Sequence, residues 1–88
     1  MNESHVGKVF LFALPWDWTV VGRLEGFIGE RLILTEAGYF TRTGLPFDQL
    51  CIEGFNERTR FIKLRTKDGR VYVPNVGLVF PWEAKWPQ

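Results

Sequence analysis

Eighty-eight residues accommodate one domain with one core, and chains of this size bury only roughly 60 to 65% of their unfolded surface, so stability leans on an extra staple. A single cysteine, Cys51, excludes an intrachain disulfide, and no residue pairs with it at metal-ligand spacing, which points to a neighbouring subunit as that staple. Eleven basic residues against ten acidic leave a net charge of +1, excluding a global attraction to polyanions; any nucleic-acid contact has to be local.

The N-terminal "MNESHVGK" has neither a basic flank before an apolar run nor a cleavage pattern, and no apolar stretch approaches the roughly 20 residues that cross a bilayer. The expectation is a cytoplasmic protein without a membrane anchor. "KVFLFAL" (8–14) reads as an apolar strand ended at Pro15. In "TVVGRLEGF" (19–27) small or apolar positions alternate with Val21, Arg23 and Glu25, and the phase changes at Phe27, where Gly26 allows the bend of a β-bulge. "IGE" (28–30) is a tight connection, and "RLILTEA" (31–37) the third strand.

Between Gly38 and Arg58 the pattern weakens to a loop, with a short helix over "PFDQLCIE", Pro46 near its start and Gly54 at its end. "RFIKLRT" (60–66), the turn signal "KDG" and "RVYVP" (70–74) read as an alternating hairpin, and "VGLVFPW" (76–82) as a last strand. No long amphipathic helix, repeat or low-complexity segment is present. The economical architecture is one all-β domain over 1–88, with its core at about 7–82 and a tail at 83–88.

The segment "GKVFLFALPWDWTVVGRLEGFIGERLIL" resembles the first motif of the Sm-like family, which includes bacterial Hfq and the LSm proteins. Gly22, Leu24, Gly26, Phe27, Leu32 and Leu34 stand at its glycine, leucine, glycine, aromatic and apolar places. "RVYVPNVGLVF" is similar to the second motif, with Pro74-Asn75 where the family has a basic residue and glycine. The resemblance covers 7–80. It implies a five-stranded, strongly bent SH3-like barrel with one short helix, and a homo-oligomeric ring in which "RVYVP" of one subunit pairs with "GLVFPW" of the next. The family's RNA-holding aspartate and asparagine are replaced by Ile28 and Arg31, with one residue missing between them. Arg31 donates or stacks where an asparagine both donates and accepts, so a base-specific pocket is not implied. The segment "LILTEAGYFTRTG", with a late "PW" pair, is also similar to small uncharacterised bacterial and phage proteins, implying a phage or mobile-element setting without an activity.

Candidate nucleic-acid contacts are Arg31, Arg42, Arg58 and Arg60, with Tyr39 and Phe40 as stacking rings. Arg23, Glu25, Lys63 and Arg65 alternate on strands, suiting either a polyanion track or cross-strand ion pairs. "PWDW" and "PWEAKW" place four tryptophans in turn and tail positions that a monomer struggles to cover. Trp82 and Trp86 are therefore expected at a subunit interface, where the Sm-like resemblance also implies Val71, Val73, Leu78 and Phe80. His5 lacks the partners of a metal site or general base, Cys51 reads as a buried thiol, and the acids include no pair placed with a nucleophile. "GRLEGFIG" joins strand to strand, so it is not a phosphate loop. The expectation is a non-enzyme without metal or cofactor. Two function classes stay open: an Sm-like oligomer holding single-stranded RNA with little base specificity, and a structural or adaptor module that binds protein.

Overall fold

The computed structural model describes residues 1–15, 18–40, 45–55, 60–75 and 77–86. Strands β1 (Val9–Ala13), β2 (Thr19–Ile28) and β3 (Arg31–Phe40) form an antiparallel meander. Helix α1 (Phe47–Glu53) follows, then β4 (Phe61–Lys63), β5 (Arg70–Pro74) and β6 (Leu78–Pro81). The last strand returns to β1, and the order across the sheet is β4-β3-β2-β1-β6, with β5 also on β3. The fold is all-β with one short helix, as the patterning predicts. Among the described residues the two end rows do not pair with each other, so the sheet stays open.

β1 explains why its sequence is apolar without alternation. Phe10 and Phe12 point into the concave face with Val20, Leu24, Leu32, Leu34, Ala37 and Val73. Val9 and Leu11 point the other way, into a second cluster with Val21, Phe40, Leu50, Cys51 and Trp82. Successive residues of a strand face opposite sides, so a strand buried on both needs apolar side chains throughout. Helix α1 covers the outer face through Leu50 and Cys51, starting after Pro46 and ending where the Gly54 N–H bonds to the Leu50 carbonyl.

Two bulges curve the sheet. Between the pairs Val21–Gly38 and Arg23–Thr35, β2 advances two residues and β3 three, and the extra residue, Glu36, sits at φ 56°. Gly22 lies opposite, where a Cβ would come within 2.9 Å of the Ala37 Cβ. Between Leu24–Leu34 and Gly26–Ile33 the extra residue is on β2, at the bend that the glycine and phase change predicted.

The expected hairpin over 60–74 is not formed. β4 and β5 both run antiparallel to β3, on its same outer edge. From Gly38–Lys63 to Thr35–Arg70, β3 advances three residues and the outer row seven, so four residues are looped out. The "KDG" signal therefore marks an excursion from one interrupted row. The described strands number six, as the patterning reads them, where the Sm-like resemblance implies five. β3 also runs three residues beyond Ala37, because Gly38, Tyr39 and Phe40 pair with β4.

That last pairing depends on Gly38, since the Phe61 ring lies across it: a Cβ there would meet the ring at 2.3 Å and the Ile62 carbonyl oxygen at 2.6 Å. Gly38→Ala should cost about 1–3 kcal/mol in chemical denaturation through overpacking. Adding Phe61→Leu should restore only part of it, because the carbonyl obstruction persists.

Candidate functional site

The β2–β3 turn brings Arg31, exposed, beside half-exposed Tyr72 and the Pro74-Asn75 corner. Two adjoining shallow depressions, about 470 and 570 Å³, lie there. The Asn75 N–H donates to the Glu30 carbonyl at 3.1 Å, tying the end of β5 to the turn. One end of the sheet thus presents a guanidinium, a phenol ring and an amide together.

Tyr39 and Arg60 lie at the other end of β3, up to roughly 30 Å away at about 3.3 Å per strand residue. The predicted contacts therefore do not converge. Tyr39 is half-buried and packs edge-on against Trp18, which is 57% exposed and which sequence reasoning grouped with the other tryptophans as hard for a monomer to cover. Phe40 is not a stacking ring: it is buried, 5.2 Å from Phe55 in the outer cluster. Adjacent strand residues face opposite sides, so Tyr39 and Phe40 were never able to share a surface. Arg42 and Arg58 lie outside the described residues.

The alternating charges divide into two groups. Arg23 bonds Glu36 (Nε to Oε2, 3.3 Å) and the Gly7 carbonyl (2.8 Å), clamping the β3 bulge to the N-terminal turn. Arg70 holds Glu25 with two bonds, 2.8 and 3.3 Å. Those residues are cross-strand pairs. Lys63 and Arg65, together with Arg60 and Lys67, are exposed and have no carboxylate partner among the described residues. They follow one another along the outer edge and the looped-out segment, where Lys63 and Arg65 line a shallow depression of about 580 Å³ together with Thr35, Glu36, Thr66 and Asp68. Asp68, the carboxylate in this loop, accepts the Arg70 backbone N–H.

The expected interface residues are mostly used within the chain. Val73 and Trp82 are buried, Val71 is half-buried against the concave core, and Phe80 packs on Phe47 at 5.8 Å. Trp86 sits on Phe61 at 5.1 Å and on Trp82 at 5.7 Å. The correction has a physical reason: Glu83 and Ala84 N–H both bond the Cys51 carbonyl at 2.9 Å, so the tail folds back over α1 and its rings close on Phe55 and Phe61. The indole N–H groups of Trp82 and Trp86 are buried there without an acceptor among the described residues. Of the six, only Leu78 is largely exposed, at 64%, beside the partly exposed Val79 on the free edge of β6.

Among the described residues no group of His, Cys, Asp and Glu is arranged to hold a metal ion, and no helix is long and apolar enough to cross a membrane. His5 uses Nδ1 to accept the Asn2 N–H in a local cap. Cys51 is free and buried. Burial pushes its thiol up to about 11, and Asp48 and then Glu83 push in the same direction.

Comparison with family models, with curated proteins and with solved structures finds no match.

The unfolded thiol ionises near its ordinary 9.0, while the folded one holds its proton to about 11, so the unfolded state releases its proton first. Stability should be unaffected by this group below pH 9 and decline between pH 9 and 11, by on the order of 2 kcal/mol. Denaturation midpoints of wild type and Cys51→Ala across that range check this; the decline should be smaller in the variant. A thiol reagent at pH 8 should label the native protein slowly and the unfolded chain at once.

Proposed function

We propose that this chain is a non-enzymatic, Sm-like β module that self-associates through its sheet edges and holds single-stranded RNA with little base specificity. The observation that carries the reading is the row Arg60, Lys63, Arg65 and Lys67, in which cations without carboxylate partners among the described residues succeed one another along one edge. A net charge of +1 argues against polyanion binding only if the charge is evenly spread. Here Glu36, which lines the same depression, is taken up by Arg23, and Glu25 by Arg70, so that Asp68 is the carboxylate left beside the four cations of this row among the described residues. Cations on flexible stems grip phosphates without reading bases, which fits the Ile28 and Arg31 substitutions in the Sm-like pocket positions. Arg31, with Tyr72 and Asn75 at the far end of the same edge, supplies a second contact.

Self-association is supported by the outer edges of β5 and β6, unpaired among the described residues, the two segments that the Sm-like resemblance assigns to ring closure. Val73 and Trp82 contribute to such a contact through backbone alone, and Leu78 and Val79 through side chains. The second reading, an adaptor module of phage or mobile-element origin, is favoured by that same exposed Leu78–Val79 edge, which suits addition of a partner's strand.

Light scattering during size exclusion, with and without a short uridine-rich RNA, tests both. The expected result is an oligomer whose mass rises with RNA and reverts in high salt. A monomer indifferent to RNA would overturn the proposal. Reversing Lys63, Arg65 and Lys67 to Glu should weaken RNA binding more than ten-fold at low salt. It should also lower the slope of log affinity against log salt by about 0.7 for each phosphate that the variant no longer neutralises.

A further inference from the structure

Among the described residues Trp18 has one ring contact and one backbone hydrogen bond, which do not account for its position. It is 57% exposed, its backbone carbonyl accepts the Leu14 N–H across the β1–β2 turn, and its indole touches Tyr39 edge to face, centroids 6.2 Å apart at 68°. Large apolar rings are seldom left this open unless something covers them. Tyr39 is itself half-buried and stands in register between Val20 on β2 and Ile62 on β4. Arg60, two residues before Ile62, continues that side of the row by strand alternation. The same end of the sheet therefore carries two accessible rings and a guanidinium; Lys63, in register with Gly38, projects to the other face of this edge strand, and Arg65 and Lys67 follow it in the looped-out segment.

We propose that Trp18 and Tyr39 form a base-stacking platform for single-stranded nucleic acid whose phosphates run along Lys63, Arg65 and Lys67. The inference rests on the nucleic-acid reading above and adds to it the residue that engages bases. A T-shaped pair leaves one ring face open, and an unpaired base covers such a face whatever its identity. Bases inside a duplex are already stacked and shielded, so the platform takes single strands. The occupant is a polyanion because the cations along the adjoining edge have no carboxylate partner among the described residues; a proline-rich peptide would satisfy the rings and leave the charges unmet.

Fluorescence anisotropy of the full chain with a labelled uridine RNA of about twelve nucleotides, within the span single-strand binders cover, and with an abasic sugar-phosphate strand of the same length, tests this. Wild type should bind the base-bearing strand roughly ten-fold more tightly than the abasic one. Trp18→Ala should erase that ratio while leaving the abasic affinity and the salt slope unchanged, and Trp18→Phe should keep most of it. An unchanged melting transition establishes that the variants fold, as an exposed position permits. Equal affinity of wild type for both strands, or a ratio that survives Trp18→Ala, would overturn the platform and leave the phosphate-binding reading standing. Binding of neither strand, or of a proline-rich peptide alone, would overturn both.

Discussion

Strand β3 carries hydrogen bonds to β2 on one edge and, on the other, to β4 and then β5. The two edges cannot be satisfied by three straight strands, because the outer row holds four residues more than β3 can pair. The excess is absorbed at one level of the sheet. There Glu36 bulges with positive φ, Arg23 reaches across from β2 to hold it, and the outer row leaves the sheet between Leu64 and Gly69. Leu64 still donates its N–H to the Ala37 carbonyl at 2.9 Å, so the departure begins only after a final ladder bond. The curvature that wraps Phe12, Leu24 and Leu34 into one core and the loop that displays Arg65 and Lys67 have this common origin.

Burial on both faces of the sheet is the second organising constraint. A small domain with one core is poorly insulated from water. By laying α1 and the tail over the outer side, this chain gains a second core in which Phe55 contacts Phe40, Phe61, Trp82 and Trp86. The cost is two indole N–H groups without acceptors among the described residues, each on the order of 1–3 kcal/mol if unrelieved, set against the large ring areas removed from water. Two of the four tryptophans that suggested a missing subunit, Trp82 and Trp86, are the chain's own staple.

How much of this was legible follows from whether a signal is local. The bulge near Gly26 and the helix between Pro46 and Gly54 were readable because a phase change, a proline and a glycine act on their own neighbourhood. The segment 60–74 was misread for the same reason: Lys67-Asp68-Gly69 turns the chain locally whether it reverses or merely detours. Which of these occurs is decided by β3, distant in sequence. Phe40 was misassigned because the end of β3 is fixed by pairing with Phe61 and not by its own residues. Trp18 was read together with the other tryptophans and not set apart as a ring beside Tyr39, although its position two residues before Val20 is a signal that strand alternation can use.

The looped-out segment has a further consequence for how sequence change is tolerated. Because the chain leaves and rejoins the same row, both ends of the excursion are fixed by β3, and its length does not set the register of β4 or β5. Lengthening it adds only the slowly growing entropy of a longer closed loop, about 0.6 kcal/mol for each doubling. The sheet is therefore decoupled from the stretch that carries Arg65 and Lys67. Related chains are free to vary the reach and charge of that stretch while the frame stays constant, and a foreign peptide grafted between Leu64 and Gly69 would be displayed without threading through the core.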